Sequence, residues 1–211
     1  MPLRRVVVAL LAAAGLAAGG VAVFSVVGPD PELPGIVREP APVTDGLRFH
    51  DHSRGDEPRE VELRPDDGTV MLAYFGYLSC PDMCPLTMSD LQRARELLGD
   101  ELADRTTVAF VTVDPQRDQP SDVRRYLDIF FDDGYLALRA PDEDDLERAA
   151  DQLNVRYEIE DHEPGEPYEV AHSAITYVID DTGTVIRELP FGAEAEDYAR
   201  VIEAALTDAA T

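Results

Sequence analysis

The sequence predicts a layered α/β domain whose central strands are buried on both faces. Two apolar runs rich in β-branched and aromatic residues, 69–77 and 106–113, have the length and composition of buried strands. Segments with helical spacing alternate with them. The resulting order, βαβαβ followed by a hairpin and a last helix, is that of a domain with helices layered on a sheet.

Each element has a local reason. Residues 43–63 read as an irregular hairpin that turns near Ser53-Arg54-Gly55-Asp56, an extension ahead of the first central strand. A helix is expected over 85–98, because Pro85 suits a first-turn position, Leu91, Ala94, Leu97 and Leu98 recur at helical spacing, and Gly99 closes it. A second helix is expected over 121–131 and a short strand over 135–138. Residues 142–153 form an acidic-first helix, as the helix dipole favours. Strands over 174–179 and 185–189 flank Asp180-Asp181-Thr182-Gly183, a hairpin signal. A last helix, 194–206, gathers Tyr198, Val201, Ile202, Ala205 and Leu206 on one face.

The chain before this domain has a different character. Arg4 and Arg5 are followed by an uncharged stretch from Val6 to Pro29. A helix over 6–28 would be roughly 34 Å long and could cross a hydrocarbon core of about 30 Å. Residues 1–28 are therefore read as a single-pass membrane anchor, with Arg4 and Arg5 cytoplasmic and the remainder outside the cytoplasm. A cleaved signal peptide is the competing reading, although its apolar region would be shorter. Residues 29–42 contain Pro29, Pro31, Pro34, Pro40 and Pro42 and read as a semi-rigid linker. The domain is then 43–211.

Composition excludes some functions. The 211 residues carry 43 acidic and 18 basic side chains, a net charge of -25, and every basic residue is Arg. Phosphate binding needs clustered cations, so nucleic acid is not expected as a partner. The acid excess reads as a solvated surface that keeps the domain soluble.

The two cysteines of the chain, Cys80 and Cys84, sit in Tyr74-Phe75-Gly76-Tyr77-Leu78-Ser79-Cys80-Pro81-Asp82-Met83-Cys84-Pro85. This run joins the first central strand to the first helix, and a dithiol at such a turn fits a thioredoxin-like fold. Sites in layered α/β sheets gather beyond the C-terminal strand ends. A dithiol here serves soft-metal binding or disulfide exchange; a plain structural disulfide would gain little from so small a loop. Cys84 is expected immediately before the helix, where the positive dipole end favours its thiolate. Asp82 reads as a turn acid or a group supporting the site. Of the four histidines, His172 opens the strand at 174, and would face the cysteines if that strand adjoins 69–77. His50 and His52 are weaker metal candidates, and His162 lies in an acidic loop.

Three blocks resemble the Sco/SenC family of copper chaperones: Phe75-Gly76-Tyr77 with Cys80-Pro81-Asp82-Met83-Cys84-Pro85; Val111-Thr112-Val113-Asp114-Pro115-Gln116-Arg117-Asp118-Gln119-Pro120; and Ala171-His172-Ser173-Ala174 leading to Asp180 and Gly183. They stand in family order within residues 43–208. The resemblance implies that Cys80, Cys84 and His172 are copper ligands, for Cu(I), Cu(II) or both. It also implies a membrane-anchored carrier that takes copper from a donor protein and delivers it to the CuA centre of a haem-copper oxidase subunit. The alternative is a thiol-disulfide oxidoreductase using Cys80 and Cys84 to reduce the acceptor's cysteines. The CxxxC spacing and the lack of a Pro immediately before the 174 strand weigh against it. The residues before the cysteines also lack the Pro…Thr pattern of a peroxidase on this fold.

Overall fold

The computed structural model describes residues 32–163 and 166–208. The membrane anchor expected over 1–28, and the first residues of the linker, lie outside the described residues. Among the described residues, no helix is long and apolar enough to cross a membrane.

A seven-stranded sheet runs through the domain. Its strands, in chain order, are β1 (Arg48–Asp51), β2 (Arg59–Glu62), β3 (Val70–Gly76), β4 (Thr106–Thr112), β5 (Tyr135–Arg139), β8 (Ile175–Ile179) and β9 (Val185–Pro190). In space the order is β2-β1-β5-β4-β3-β8-β9. β3, β4 and β5 are mutually parallel, whereas β8 runs antiparallel to β3, and β9 to β8. Every residue of β3 is buried, as expected of a strand flanked on both sides and covered on both faces. The expected hairpin is present as β1 and β2, and β1 also pairs with β5, so the hairpin extends the main sheet. This is the thioredoxin-like arrangement with its N-terminal hairpin extension.

Among the described residues, five helices complete the domain: α1 (Met83–Leu98), α2 (Asp100–Ala103), α3 (Pro120–Leu127), α4 (Glu143–Leu153) and α5 (Ala195–Asp208). α1 and α5 pack together, and α5 also touches β3. In α1 the buried stripe is Cys84, Thr87, Met88, Leu91 and Ala94, a three-and-four spacing that turns one face to the core. Asp142 caps α4 by accepting a hydrogen bond from the Asp145 amide, and left-handed Asn154 ends it.

Several boundaries differ from expectation. α1 begins at Met83, two residues early, because Pro85 has no N–H to lose within a first turn. α3 stops at Leu127; the Phe130 and Phe131 amides both return to the Leu127 carbonyl, so the chain tightens and leaves the helix there. A second, two-stranded ribbon, β6 (Tyr157–Ile159) paired with β7 (Val170–His172), was not anticipated. Its strands are three residues each, too short for a periodic signal. Part of the Pro-rich stretch packs on the domain: Ile36 bridges Glu188, and Arg38 Nε meets the Glu188 carboxylate at 2.6 Å.

Candidate metal centre

The geometry of the site follows from strand direction. β3 ends at Gly76, and the chain turns through Tyr77–Ser79 to Cys80 before α1 begins. β8 is antiparallel to β3 with Tyr74 opposite Thr176, so the start of β8 lies at the same rim as the end of β3. His172, three residues before β8, is delivered to that rim. The ligating atoms of Cys80, Cys84 and His172 all lie within 4.8 Å of one another, the only such group among the described residues.

The two cysteines are held differently. Cys84 stands in the first turn of α1, 1% exposed, and Cys80 in the preceding loop, 7% exposed. Both are free thiols. The Cys84 amide donates to Cys80 Sγ at 3.4 Å, so the open N-terminus of the helix serves Cys80. This corrects the expectation for Cys84. Burial pushes its thiol up to about 12, against a partly offsetting backbone hydrogen bond at Tyr77. The Tyr74 hydroxyl donates to Cys84 Sγ at 3.8 Å. Gly76 makes room for this sulfur: a Cβ there would stand 2.8 Å from the Tyr74 ring and 2.9 Å from Cys84 Sγ.

His172 presents Nε2 to Cys84 Sγ at 3.6 Å. Its ring is held edge-on by Tyr74 at 6.0 Å and Tyr77 at 5.6 Å between centroids. Burial lowers its pKa, with the backbone at Ser173 and Phe75 acting in the opposite direction. The neutral ring is the form that binds a metal. Among the described residues, Nδ1 is buried with no hydrogen-bond partner. The ribbon is pinned at its base by Ser173, whose amide donates to the Arg156 carbonyl and whose hydroxyl accepts from the Arg156 amide.

The donor set fits a soft cation. Two sulfurs and one imidazole nitrogen favour Cu(I), whereas a structural zinc site normally closes with four ligands. The other candidates lie elsewhere. His50 and His52 lie on or just beyond β1, with β5 and β4 between them and β3. His162 stacks on Tyr168, with centroids 3.8 Å apart and an 8° angle. Asp82 occupies the N-cap position of α1, exposed and making no side-chain capping bond. A groove of about 900 Å³ is lined by Met71, Thr107 and Tyr135 at the opposite strand ends, away from this chemistry.

The sequence reading missed a supporting layer in the loop after β4. Asp118, 2% exposed, accepts from the Leu78 amide at 3.1 Å and the Thr112 hydroxyl at 2.7 Å, and so ties this loop to the one carrying Cys80. Burial raises its carboxyl to about 6. Asp114, fully buried, accepts from Arg117 Nε at 2.7 Å and from the Tyr168 hydroxyl at 2.8 Å. The signal available was the acid–arginine–acid run itself, whose partners lie in other loops.

The SCO1/SenC family model matches residues 54–207, well over half of the 211-residue chain. The chain belongs to the SCO1/SenC family. Among SCO1/SenC relatives, a SCO2-like protein of Rickettsia felis is 32% identical over 121 residues, 57% of this chain and 58% of that protein. The match thus spans less than two thirds of that relative's length. The apo Sco1 solution structure from Thermus thermophilus is similar at TM-score 0.65 and 27% identity, covering 87% of this chain and all of that one. The copper-bound crystal structure of yeast Sco1 shares the fold at TM-score 0.65 and 24% identity, covering 82% of this chain and 90% of that one.

Proposed function

We propose that this chain is a copper carrier that binds the ion through Cys80, Cys84 and His172. The observation that carries this reading is the convergence of those three donors within 4.8 Å. Thiolates select Cu(I), and imidazole accepts both copper oxidation states. Three ligands leave a coordination position through which an acceptor's Cys or His can attack the ion and remove it by ligand exchange. A copper-bound relative of the same fold supports the choice of metal.

The family resemblance supports the wider role. In this reading the protein takes copper from a donor protein and passes it to the copper-accepting subunit of a haem-copper oxidase, at the CuA centre. Arg4-Arg5 and the uncharged stretch behind them support a single-pass anchor with the domain outside the cytoplasm. Protease added to intact spheroplasts tests this placement: the domain is digested if it lies outside and protected if it does not.

Titration of the reduced chain with Cu(I) against a competing chelator tests the carrier reading. One-to-one binding that weakens in His172→Ala is expected. Absence of such binding, or affinity indifferent to His172, overturns it.

A thiol-disulfide oxidoreductase is the second reading, favoured by two free thiols four positions apart. The burial that raises Cys84 disfavours a fast thiolate nucleophile there. Rapid turnover of an acceptor disulfide by metal-free protein, undiminished in His172→Ala, would establish it.

A further inference from the structure

We propose that Arg117 is the positioning residue for His172, acting through Tyr168; the proposal rests on the copper-carrier reading. Arg117 lies in the loop between β4 and α3, and two of its contacts fall on Tyr168, in the chain that supplies the histidine. Nε donates to the fully buried Asp114 at 2.7 Å, which fixes the plane of the guanidinium. Nη1 donates to the Tyr168 carbonyl at 3.0 Å. The guanidinium carbon stands 4.0 Å from the centre of the Tyr168 ring. Tyr168 completes the clasp by donating its hydroxyl to the other oxygen of Asp114 at 2.8 Å.

Tyr168 lies four residues before His172, and β7 begins two residues after it. Fixing its ring, hydroxyl and carbonyl therefore fixes where β7 starts. Arg117 also lies 5.7 Å from the Tyr77 ring, and that ring is edge-on to His172. One side chain thus touches the loop leading to Cys80 and the strand leading to His172. The strand needs such support because, among the described residues, its only ladder is the short pairing of β6 with β7, outside the main sheet.

A planar fork is required for this arrangement. Lysine carries the charge but cannot bond Asp114 and the Tyr168 carbonyl while lying flat on a ring. Groups that orient a metal ligand typically change metal affinity about 10- to 100-fold when removed.

The test uses the full chain with Cu(I) supplied against a competing chelator. Arg117→Gln is expected to weaken Cu(I) binding about 10- to 100-fold, with Arg117→Lys no better. Introduced into His172→Ala, it is expected to cause no further loss, since its effect runs through that ligand. In metal-free protein, amide exchange in 157–159 and 170–172 is expected to rise about tenfold or more. Unchanged exchange in these strands, or a full additional loss on the His172→Ala background, overturns the proposal. Should Arg117→Gln fail to fold, Tyr168→Phe, which deletes a single hydroxyl, is held to the same outcomes. If the unmodified chain binds no Cu(I), the carrier reading fails, and exchange in the metal-free protein alone decides the role of Arg117.

Discussion

Cys84 Sγ and His172 Nε2 lie 3.6 Å apart across 88 positions of sequence. Transition-metal bonds of about 2.0–2.3 Å to nitrogen and sulfur can span that gap with no movement of the backbone. His172→Ala is therefore expected to cut Cu(I) affinity by about 100-fold or more, beyond the usual effect of a merely supporting group. The ring is only partly buried, so the Tm of metal-free protein should move by no more than about 4 °C. Chelator competition and thermal melting measure the two effects on the same sample.

Gly76→Ala should damage the site and the core together. The new methyl would stand 2.9 Å from Cys84 Sγ and 3.1 Å from the Phe110 ring, both in buried surroundings. A loss of about 1–3 kcal/mol is expected in urea denaturation, with copper binding weakened in the folded fraction.

Asp118 should make stability depend on pH. Its carboxyl is raised from 3.8 to about 6 by burial, so the native state holds this proton more tightly than the unfolded chain. The resulting stabilisation is complete below about 3.8 and is lost as pH rises through about 6, to the extent of roughly 2–3 kcal/mol. Both of its hydrogen bonds fall on Oδ2, so the amide oxygen of Asp118→Asn can keep them. Denaturation curves between pH 4 and pH 7 should lose this slope in the variant; an identical slope in both proteins would refute the assignment.

Arg38 should stabilise the domain from outside the sheet. Its partner Glu188 is 1% exposed, whereas Arg38 is 36% exposed. Removing the cation leaves a buried carboxylate unpaired. Arg38→Met is expected to cost about 1–3 kcal/mol, less than for a fully buried pair because water already reaches the arginine. Adding Glu188→Leu should recover part of the loss, and denaturant midpoints of the three proteins give the comparison.

The parts of this molecule that were legible in its sequence are those governed by local period. The run at 69–77 announced β3 because both faces of that strand are covered. Helix spacing and Asp180-Asp181-Thr182-Gly183 placed α1, α4, α5 and the β8–β9 hairpin within a few residues. The three candidate donors were legible because two share one short segment and the third lies in a block that resembles the Sco/SenC family. What stayed hidden is held by contacts at long range. The Arg117–Tyr168 clasp spans 51 positions, and no spacing rule links an arginine in one loop to a carbonyl in another. The raised Cys84 thiol was equally invisible, because it comes from the burial of a sulfur that the sequence placed outside the helix.

The reversal of β8 relative to β3 has a consequence for how this architecture could be rebuilt. A five-residue strand covers about 16 Å. Were β8 threaded the other way between the same two neighbours, its first residue would emerge at the floor of the sheet, and the imidazole would end up many bond lengths from either sulfur. Redesigned or circularly permuted versions can therefore relocate termini and shorten loops, but they must preserve the polarity of this one strand.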